Sequence, residues 1–477
     1  MAEAKPLVLD VDGTLLRTDL LYESFWAGLG RAPIATLRAC LRHLRQPARL
    51  KRALARIGRP RLDLMPVEPE IADLAREGRA NGREVVLASA SDRELVGDLA
   101  ALHCLSPRIF ASDGERNLKG PAKARALVAA FGEGGFDYAG NHRADRPVWS
   151  RAENALIVGD GAGLAPGLAR QGRSVQIYGQ PWRRRDLLRA MRPHQWVKNV
   201  LMLLPAIGAH DFTFATFALV LWGMAAFSAL ASAIYIVNDL LDLEADRLHP
   251  TKRHRPFASG AVPIPAGMAA AAGLVLVALA TGAALGPAFL AVLLVYAVLS
   301  LAYSLRLKRM RWLDILVLAV LYTLRVVAGA EASDVHVSAH MLAFILPVFV
   351  TLGCVKRLTE LAYAEGGARL PGRGYGWRDR GAILNLAVGA MVAALAVYAL
   401  YVASPQAQAL YPTRWLLWLV LVPLALWLLR MVLLGYKGQQ DFDPIVFAMR
   451  DRLGIGLLLL ALSLMFWAAG LWAQWLG

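Results

Sequence analysis

The sequence predicts two parts of different fold class: an α/β domain with a parallel sheet, then an all-α bundle that crosses a membrane about nine times. The chain has 477 residues, which is too many for one soluble core. Hydrophobic residues make up 57% of it and charged residues only 18%. The long apolar segments all lie after about residue 196. A soluble enzyme, a disordered chain and a collagen-like chain are therefore poor fits.

The first part, residues 1–185, mixes charged residues with short apolar runs that are typical of buried strands. Strands are predicted at 6–13, 83–91, 136–140 and 154–161, and helices at 70–82 and 120–132. Strands that alternate with helices indicate a parallel α/β sheet. Residues 30–62, rich in Arg and Leu, are predicted to be a helical insertion that caps the sheet or lies on the bilayer surface.

The second part, residues 186–477, contains nine apolar segments, each about as long as a membrane-spanning helix. They lie near 197–212, 214–240, 264–284, 286–303, 312–331, 337–355, 383–404, 414–435 and 455–476. The first segment is the weakest candidate, because Pro205 and His210 interrupt it.

Loop charge predicts the orientation of the bundle. Loops 246–255, 306–311, 356–380 and 435–452 are rich in Lys and Arg, whereas the loops on the other side carry almost no cations. This asymmetry places the basic loops and the N-terminal domain in the cytoplasm of a multi-pass inner (plasma) membrane protein. It also accounts for the net charge of +16, so we expect no nucleic-acid partner.

Neither a signal peptide nor a cysteine-based framework is indicated. The first 25 residues lack the basic start, apolar stretch and small-residue cleavage site of a signal peptide, so we expect the N-terminus to stay in the cytoplasm. Cys40, Cys104 and Cys354 are far apart and form no CxxC motif, so no disulfide or zinc framework is expected.

The run Asp10-Val11-Asp12-Gly13-Thr14 forms the carboxyl end of the first predicted strand. One carboxylate can attack phosphorus while the other supplies a proton, and Mg²⁺ can shield their mutual repulsion. The alternative is a capped strand–helix turn, since Asp and Thr are good helix N-caps. We favour the chemical interpretation, because packing alone does not require two carboxylates at the end of a buried strand.

This run resembles the first motif of the haloacid dehalogenase superfamily of aspartate-nucleophile phosphatases, which implies a Rossmann-like fold for residues 6–165. Ser89 matches the second motif, which hydrogen-bonds the phosphoryl group, and Lys123 matches the neutralising lysine, with Lys119 as a second candidate. The last motif reads Gly140-Asn141-His142-Arg143-Ala144-Asp145, where the family usually has GD and a second Asp. The resemblance implies Mg²⁺ at Asp10, Asp12, Asn141 and Asp145. GDGAGLAPG (159–167) lacks the GxGxxG spacing and is not interpreted as a dinucleotide loop.

The second spanning segment ends in a cluster of polar residues: Asn238, Asp239, Asp242 and Asp246. Their spacings of three and four residues predict one helix face. Acids at a helix C-terminus oppose the helix dipole, and acids at membrane depth are costly, so a solvated acidic end explains them poorly. Oxygen ligands of this kind suit Mg²⁺ shared with a substrate diphosphate, which predicts catalytic residues here, with Asn238, Asp242 and Asp246 as metal ligands.

NDxxDxxxD on such a helix resembles the UbiA superfamily of intramembrane prenyltransferases, whose fold is a nine-helix bundle. The runs 192–199, 249–262 and 303–308 are further similar to decaprenyl-phosphate 5-phosphoribosyltransferases, which move phosphoribose from phosphoribosyl diphosphate to a polyprenyl phosphate. The resemblance covers residues 192–477. An aromatic prenyltransferase would carry a second DxxxD motif after its sixth helix, where this chain has Lys356-Arg357-Leu358-Thr359-Glu360.

Two phosphorylated substrates require cations in place of that second acidic motif. The candidate substrate-binding residues are Lys198, Asn199, Lys252, Arg253, Arg255, Tyr303, Lys308, Lys356, Arg357 and Glu360. Taken singly, most of these cations are also explained as ordinary residues of cytoplasmic loops.

The sequence thus predicts a bifunctional, Mg²⁺-dependent enzyme. Its membrane part would transfer 5-phosphoribose to polyprenyl phosphate, and its N-terminal part would then remove the 5-phosphate. Three alternatives stay open: an aromatic prenyltransferase, a phosphatase for an unrelated phosphate ester that the fusion merely anchors, and a transporter. A transporter would place its polar residues at mid-membrane depth. Prenyl chain length and oligomeric state are left undetermined.

Overall fold

A computed structural model describes residues 4–363, 370, 373–440 and 443–476. Parts of the predicted basic loops 356–380 and 435–452 thus lie outside the described residues. The chain forms two compact units. The α/β unit comprises residues 1–191 and 235–272, and the helical unit comprises residues 192–234 and 273–477.

The α/β unit is built on a six-stranded, fully parallel sheet with strand order β3-β2-β1-β4-β5-β6. The strands are β1 (Leu7–Leu9), β2 (Val85–Asp92), β3 (Ile109–Ser112), β4 (Asp137–Gly140), β5 (Asn154–Val158) and β6 (Ser174–Tyr178). The four predicted strands correspond to β1, β2, β4 and β5. The sequence analysis missed β3 and β6, which are only partly buried and so give a weaker signal than the central strands.

Side chains of β1 pack on both faces of the sheet, as expected for a central parallel strand. Leu7 and Leu9 join one core cluster together with Leu87, and Val8 joins the cluster on the other face together with Tyr138. Because β1 is anchored on both faces, the residue that follows it is held at a fixed position at the edge of the sheet.

Helices surround this sheet and form the predicted insertion. They are α1 (Leu20–Arg31), α2 (Pro33–His43), α3 (Pro47–Gly58), α4 (Pro69–Ala80), α5 (Arg93–Leu102), α6 (Pro121–Phe131), α7 (Arg146–Trp149), α8 (Ala165–Ala169) and α9 (Arg184–Ala190). The predicted insertion, residues 30–62, contains α2 and α3, whereas α1 ends at Arg31. Proline opens α2, α3, α4 and α6, where its missing N–H would have no helical partner.

The helical unit and its connections contain α10 (Leu204–Ala209), α11 (Phe214–Leu241), α12 (Leu243–Leu248), α13 (Ile264–Leu285), α14 (Pro287–Leu305), α15 (Leu313–Ser333), α16 (Ala339–Tyr363), α17 (Arg380–Ala403), α18 (Pro405–Leu410), α19 (Trp415–Tyr436), α20 (Pro444–Ala448), α21 (Arg452–Ala468) and α22 (Leu471–Leu476). Seven of the described helices are long and apolar enough to cross a membrane: α11, α13–α17 and α19. The protein is therefore an integral membrane protein.

The count of nine spanning helices is not confirmed among the described residues. The first predicted segment is a 3-10 helix, Pro193–Leu203, followed by the short α10, whose first turn contains Pro205. The last predicted segment is divided between α21, which has 17 residues, and α22, with Gly470 in a left-handed conformation between them.

Residues 235–272, which include the end of the spanning helix α11, belong to the α/β unit. Arg247 of α12 donates to both carboxylate oxygens of Glu23, at 3.1 and 2.5 Å. The two side chains are only 5% and 2% exposed. Nearby, Arg31 at the end of α1 forms an ion pair with Glu244 at 2.7 Å. These contacts explain why α12 packs within the α/β unit.

Candidate active sites

The first candidate site lies at the carboxyl end of the central strands. Asp10 follows β1 directly, Ser89 lies in the second half of β2, and Asn141 follows β4. The strand order reverses between β1 and β4, and such a switch point forms a crevice outside the strand ends. A cavity of about 570 Å³ at this edge is lined by residues that include Asp10, Asp12, Lys123, Asn141 and Asp145.

Lys123 links two carboxylates in this cavity. Its Nζ lies 2.9 Å from Asp10 Oδ1 and 3.4 Å from Asp145 Oδ1, and it is 2.8 Å from the hydroxyl of Tyr138. Burial raises the pKa of Asp10 to about 7, although Lys123 acts in the opposite direction. Burial also opposes the charge of Lys123, but Asp10 and Asp145 outweigh it and raise the pKa of this lysine. The lysine therefore stays protonated beside Asp10.

Asp12 is held by three donors. It accepts hydrogen bonds from the backbone N–H of Leu20 at 2.8 Å, from Ser89 Oγ at 3.1 Å and from Ser91 Oγ at 2.6 Å. Ser91 also donates its backbone N–H to Ser89 Oγ at 2.9 Å. The structure thus brings Ser89 to the carboxylate next to Asp10, and it adds Ser91, which the sequence analysis missed although it lies two residues further along the same strand.

The residues predicted to hold Mg²⁺ in this site include Asn141, which packs against Gly13. Gly13 has φ +72°, and a methyl group there would overlap the Asn141 amide. Among the described residues, no three His, Cys, Asp or Glu side chains are grouped as a metal site. Asp10 and Asn141 nevertheless offer oxygen donors to the cavity. A hard divalent cation fits this donor set.

Further polar residues that the sequence analysis missed line the cavity, among them Asp19, Lys51 and Asp160. Asp19 caps α1, and its pKa is raised to about 7 by burial and by Asp12. Lys51 of the helical insertion donates to Ala90 O at 2.6 Å. Asp160 belongs to the GDG run after β5, where its position at a strand end was the available signal.

The second candidate site lies at the end of α11. Asn238 and Asp239 belong to α11, Asp242 separates α11 from α12, and Asp246 belongs to α12. The spacing of an α-helix continues through this break, because Asp242 N–H donates to Asn238 O at 3.0 Å and Asp246 N–H donates to Asp242 O at 2.8 Å.

Arg255 joins two of these carboxylates. Its Nη1 lies 3.2 Å from Asp239 Oδ1 and 2.7 Å from Asp246 Oδ2. The pKa of Asp246 is raised by burial, against the effect of Arg255. Asn238 Oδ1 is buried, and no hydrogen-bond partner is found for it within the described residues. An orphaned amide oxygen beside carboxylates fits a divalent cation.

Two other candidate phosphate-binding cations of this segment, Lys252 and Arg253, lie on the surface. Lys252 and Arg253 form a 3-10 helix, Lys252–His254, and both side chains are exposed. They precede Arg255 in the chain, so this segment presents positive charge within ten residues of Asp246. Such cations suit phosphate groups.

In the helical unit, Lys198 and Asn199 are buried in a polar cluster. Lys198 forms an ion pair with Asp443, whose carboxylate is also 4.0 Å from Lys356 Nζ. Burial would raise the pKa of Asp443, but the two lysines outweigh it and lower the pKa to about 2. Asn199 accepts a hydrogen bond from Arg325 Nε at 3.2 Å.

Tyr303, Arg357 and Glu360 belong to a second buried cluster around Asp314. Arg357 Nε lies 2.7 Å from Asp314 Oδ2, both side chains are fully buried, and Arg357 also pairs with Glu360. Tyr303 donates to Asp314 Oδ1 at 2.9 Å. The sequence analysis did not single out Asp314, which looks like an ordinary polar residue at a helix start. Lys308, in the 3-10 helix Leu307–Arg309, is half-buried.

Comparisons with known proteins relate this chain to one family. Residues 200–450 match the UbiA prenyltransferase family. The chain is 34% identical over 455 residues to the uncharacterized protein y4nM of Sinorhizobium fredii, covering 94% of this chain and 88% of that protein. It is 37% identical over 287 residues to the nodulation protein NoeC of Azorhizobium caulinodans, covering 58% of this chain and 91% of that protein. It is 38% identical over 187 residues to decaprenyl-phosphate phosphoribosyltransferase of Mycobacterium tuberculosis, covering 38% of this chain and 61% of that protein.

Proposed function

Because this chain belongs to the UbiA prenyltransferase family, we propose that it transfers 5-phosphoribose from phosphoribosyl diphosphate to a polyprenyl phosphate, such as decaprenyl phosphate. The observation that carries the proposal is the polar end of α11, where the orphaned oxygen of Asn238 lies in the same helical register as Asp242 and Asp246. The similarity to decaprenyl-phosphate phosphoribosyltransferases over 187 residues supports this substrate class.

The roles of the residues follow from their donor atoms. Asn238, Asp242 and Asp246 would hold Mg²⁺, which supplies positive charge to the leaving diphosphate. Arg255 forms ion pairs with Asp239 and Asp246 and so holds these two carboxylates together. An oxygen of the lipid phosphate forms the bond to the anomeric carbon as the bond to the diphosphate breaks. Stabilisation of that leaving charge is the largest contribution to the rate.

The cations of the chain would bind the phosphate groups of both substrates. Lys198, Asn199, Lys252, Arg253, Lys308 and Lys356 are the proposed contacts. Tyr303, Arg357 and Glu360 are mutually bonded around Asp314, so in this proposal they act as positioning residues for that end of the bundle. The run that begins at Lys356 lacks the second DxxxD motif expected of an aromatic prenyltransferase.

The transferase is tested with purified protein, Mg²⁺, polyprenyl phosphate and ribose-labelled phosphoribosyl diphosphate, with the lipid product weighed by mass spectrometry. Asp242→Asn and removal of Mg²⁺ should each lower the transfer rate by about 100-fold or more. Glu244→Gln is the matched control, because Glu244 lies two residues away but pairs with Arg31. Near-normal transfer by Asp242→Asn would refute the assignment. Prenylation of an aromatic acid without ribosyl transfer would indicate an aromatic prenyltransferase instead.

We further propose that residues 1–185 are a haloacid dehalogenase-like phosphatase, that residues 186–477 are the transferase, and that the N-terminal domain and the basic loops are cytoplasmic. The strand order with Asp10 and Asn141 at its reversal supports a Rossmann-like phosphatase. Asp10, Asp12 and Lys123 line one cavity, and buried Ser89 donates to Asp12, which supports it independently.

In this phosphatase, Asp10 attacks the phosphorus of the 5-phosphate, and the bond from phosphorus to the ribose oxygen breaks. Asp12 gives its proton to that oxygen and later takes one from the water that hydrolyses the aspartyl phosphate. Ser89 holds Asp12, and Lys123 neutralises the phosphoryl group. Asp10 and Asn141 would hold Mg²⁺, with Asp12 and Asp145 beside them. Because the amide of Asn141 is neutral, the ion is held by less negative charge than a carboxylate would provide.

The two activities are separated by comparing Asp10→Asn with the unchanged protein. The variant should accumulate phosphoribosyl lipid, whereas the unchanged protein should release phosphate and yield ribosyl lipid. Asp113→Asn, which alters an exposed carboxylate, is the control. If both proteins yield the same phosphoribosyl lipid, the transferase stands and the phosphatase acts on an unrelated phosphate ester.

A further inference from the structure

The outer face of α2 carries large apolar side chains that are open to the surroundings. Ile34, Leu37, Leu41 and Leu44 are 73%, 51%, 79% and 73% exposed. Their spacing of three, four and three residues places them in one stripe along the helix. The opposite face packs inward through buried Thr36 and Ala39. The orientation of α2 is therefore fixed, and its apolar stripe faces away from the α/β unit.

The charge of this region is of a single sign. Between Glu23 and Asp63 the sequence contains no acidic residue, and its cations are Arg31, Arg38, Arg42, Arg45, Arg49, Lys51, Arg52, Arg56, Arg59 and Arg61. Arg38, Arg42 and Arg45 are exposed and lie along one side of the stripe. No carboxylate partner is found for these three within the described residues. An apolar stripe flanked by arginines is the pattern of a helix that lies in a membrane interface.

The position of α2 in the chain agrees with that pattern. Arg31, two residues before α2 begins, is bound to Glu244 at 2.7 Å. Glu244 lies three residues after Leu241, where the spanning helix α11 ends. Gly30 is also next to the backbone of Leu241. The start of α2 is therefore tied to the end of α11, which is long and apolar enough to cross a membrane.

We propose that α2 lies on the surface of the bilayer, with Ile34, Leu37, Leu41 and Leu44 among the upper acyl chains and Arg38, Arg42 and Arg45 at the phosphates of anionic lipids. Long arginine side chains reach headgroup phosphates while their stems cover apolar surface. The occupant of the stripe is thus lipid and not a second protein chain. The proposal stands apart from the proposed enzymatic activities.

The depth of α2 is measured on the full chain in vesicles of phosphatidylcholine and phosphatidylglycerol. A nitroxide is attached to Leu41→Cys in a Cys40→Ser, Cys104→Ser background, and Cys354 stays in place because it is fully buried. Collisions with oxygen, which partitions into lipid, are compared with collisions with a water-soluble nickel chelate. The matched control carries the nitroxide at Glu133→Cys, an exposed position of the α/β unit.

We expect the label at position 41 to collide mainly with oxygen and the control label mainly with nickel. Nickel access at position 41 equal to that of the control would overturn the proposal. Protection from both reagents with dipolar broadening would also overturn it, because a second copy of the chain would then cover the stripe. The label should shift towards water when Arg38, Arg42 and Arg45 are together replaced by Gln, and also when phosphatidylglycerol is omitted. If neither change shifts the label, the proposed contact with anionic lipid is wrong.

Discussion

The ion pair between Glu23 and Arg247 gives the most informative stability prediction, for the variant Glu23→Gln. The pair is almost fully buried, at 2% and 5% exposure. Glu23 also accepts a hydrogen bond from Thr18 Oγ1 at 2.6 Å, and Arg247 Nε donates to Ala258 O at 3.1 Å. The variant leaves the guanidinium of Arg247 buried without its counter-charge.

Removal of one partner from a buried ion pair costs about 3–5 kcal/mol. Thr18 and Ala258 keep their backbone positions, and the substituted glutamine side chain would keep one acceptor oxygen, so we expect the lower part of this range. Since about 1.4 kcal/mol corresponds to a factor of ten, about 3 kcal/mol makes local opening roughly 100-fold more frequent. The opening should affect both segments that the pair joins.

Hydrogen exchange measured by mass spectrometry on the full chain checks this prediction. Peptides from 13–24 and 243–260 should exchange roughly 100-fold faster in Glu23→Gln. Glu94→Gln is the control, because its partner Arg56 is 58% exposed and surface pairs contribute little. Adding Arg247→Met to Glu23→Gln should restore part of the protection, since neither charge is then buried alone. Exchange at the rate of the unchanged protein in Glu23→Gln would refute the reasoning.

Gly13→Ala should lower the proposed phosphatase activity and the thermal midpoint, because φ is +72° and a methyl group would overlap Asn141; phosphate release at the normal rate would contradict this. Asp19→Asn should raise the thermal midpoint at pH 8 but not at pH 4. The pKa of Asp19 in the folded state is about 7 because of burial, so ionisation costs stability as the pH rises from about 4 through 7. A midpoint difference independent of pH would refute it. Gly329→Ala should destabilise the helical unit by about 1–3 kcal/mol, because a methyl group would overlap the Met202 backbone. Unfolding of the purified variant at the same temperature as the unchanged protein would count against this packing argument.

Much of the fold was predictable because its signals are local. Long apolar runs indicated the seven helices that could span a membrane, and short buried runs indicated β1, β2, β4 and β5. The placement of residues 235–272 in the α/β unit was not predictable. It depends on pairs such as Glu23 with Arg247, which are 224 residues apart in sequence and leave no periodic pattern.

In the candidate sites, too, the residues within one short motif were predictable and the long-range pairings were not. Asp10 and Asp12 follow a strand within one short motif, and the fold then brings Lys123 to within 2.9 Å of Asp10. Arg357, by contrast, was expected to meet substrate phosphate, and the structure gives it the carboxylates of Asp314 and Glu360. The sequence does not tell an arginine that binds substrate from one that forms a buried ion pair, because a buried arginine and a surface arginine look the same in a sequence.

The division of the α/β unit into residues 1–191 and 235–272 has a consequence for biosynthesis. A chain is made from its N-terminus, so the sheet emerges from the ribosome well before α12. Until then Glu23 lacks the arginine that neutralises it, and α1 lacks the segment that ties it to α11. The fold of the N-terminal part therefore stays incomplete until α11 has been inserted into the membrane. The last step in its folding is set by insertion, and a fragment that ends at residue 191 would never reach that step.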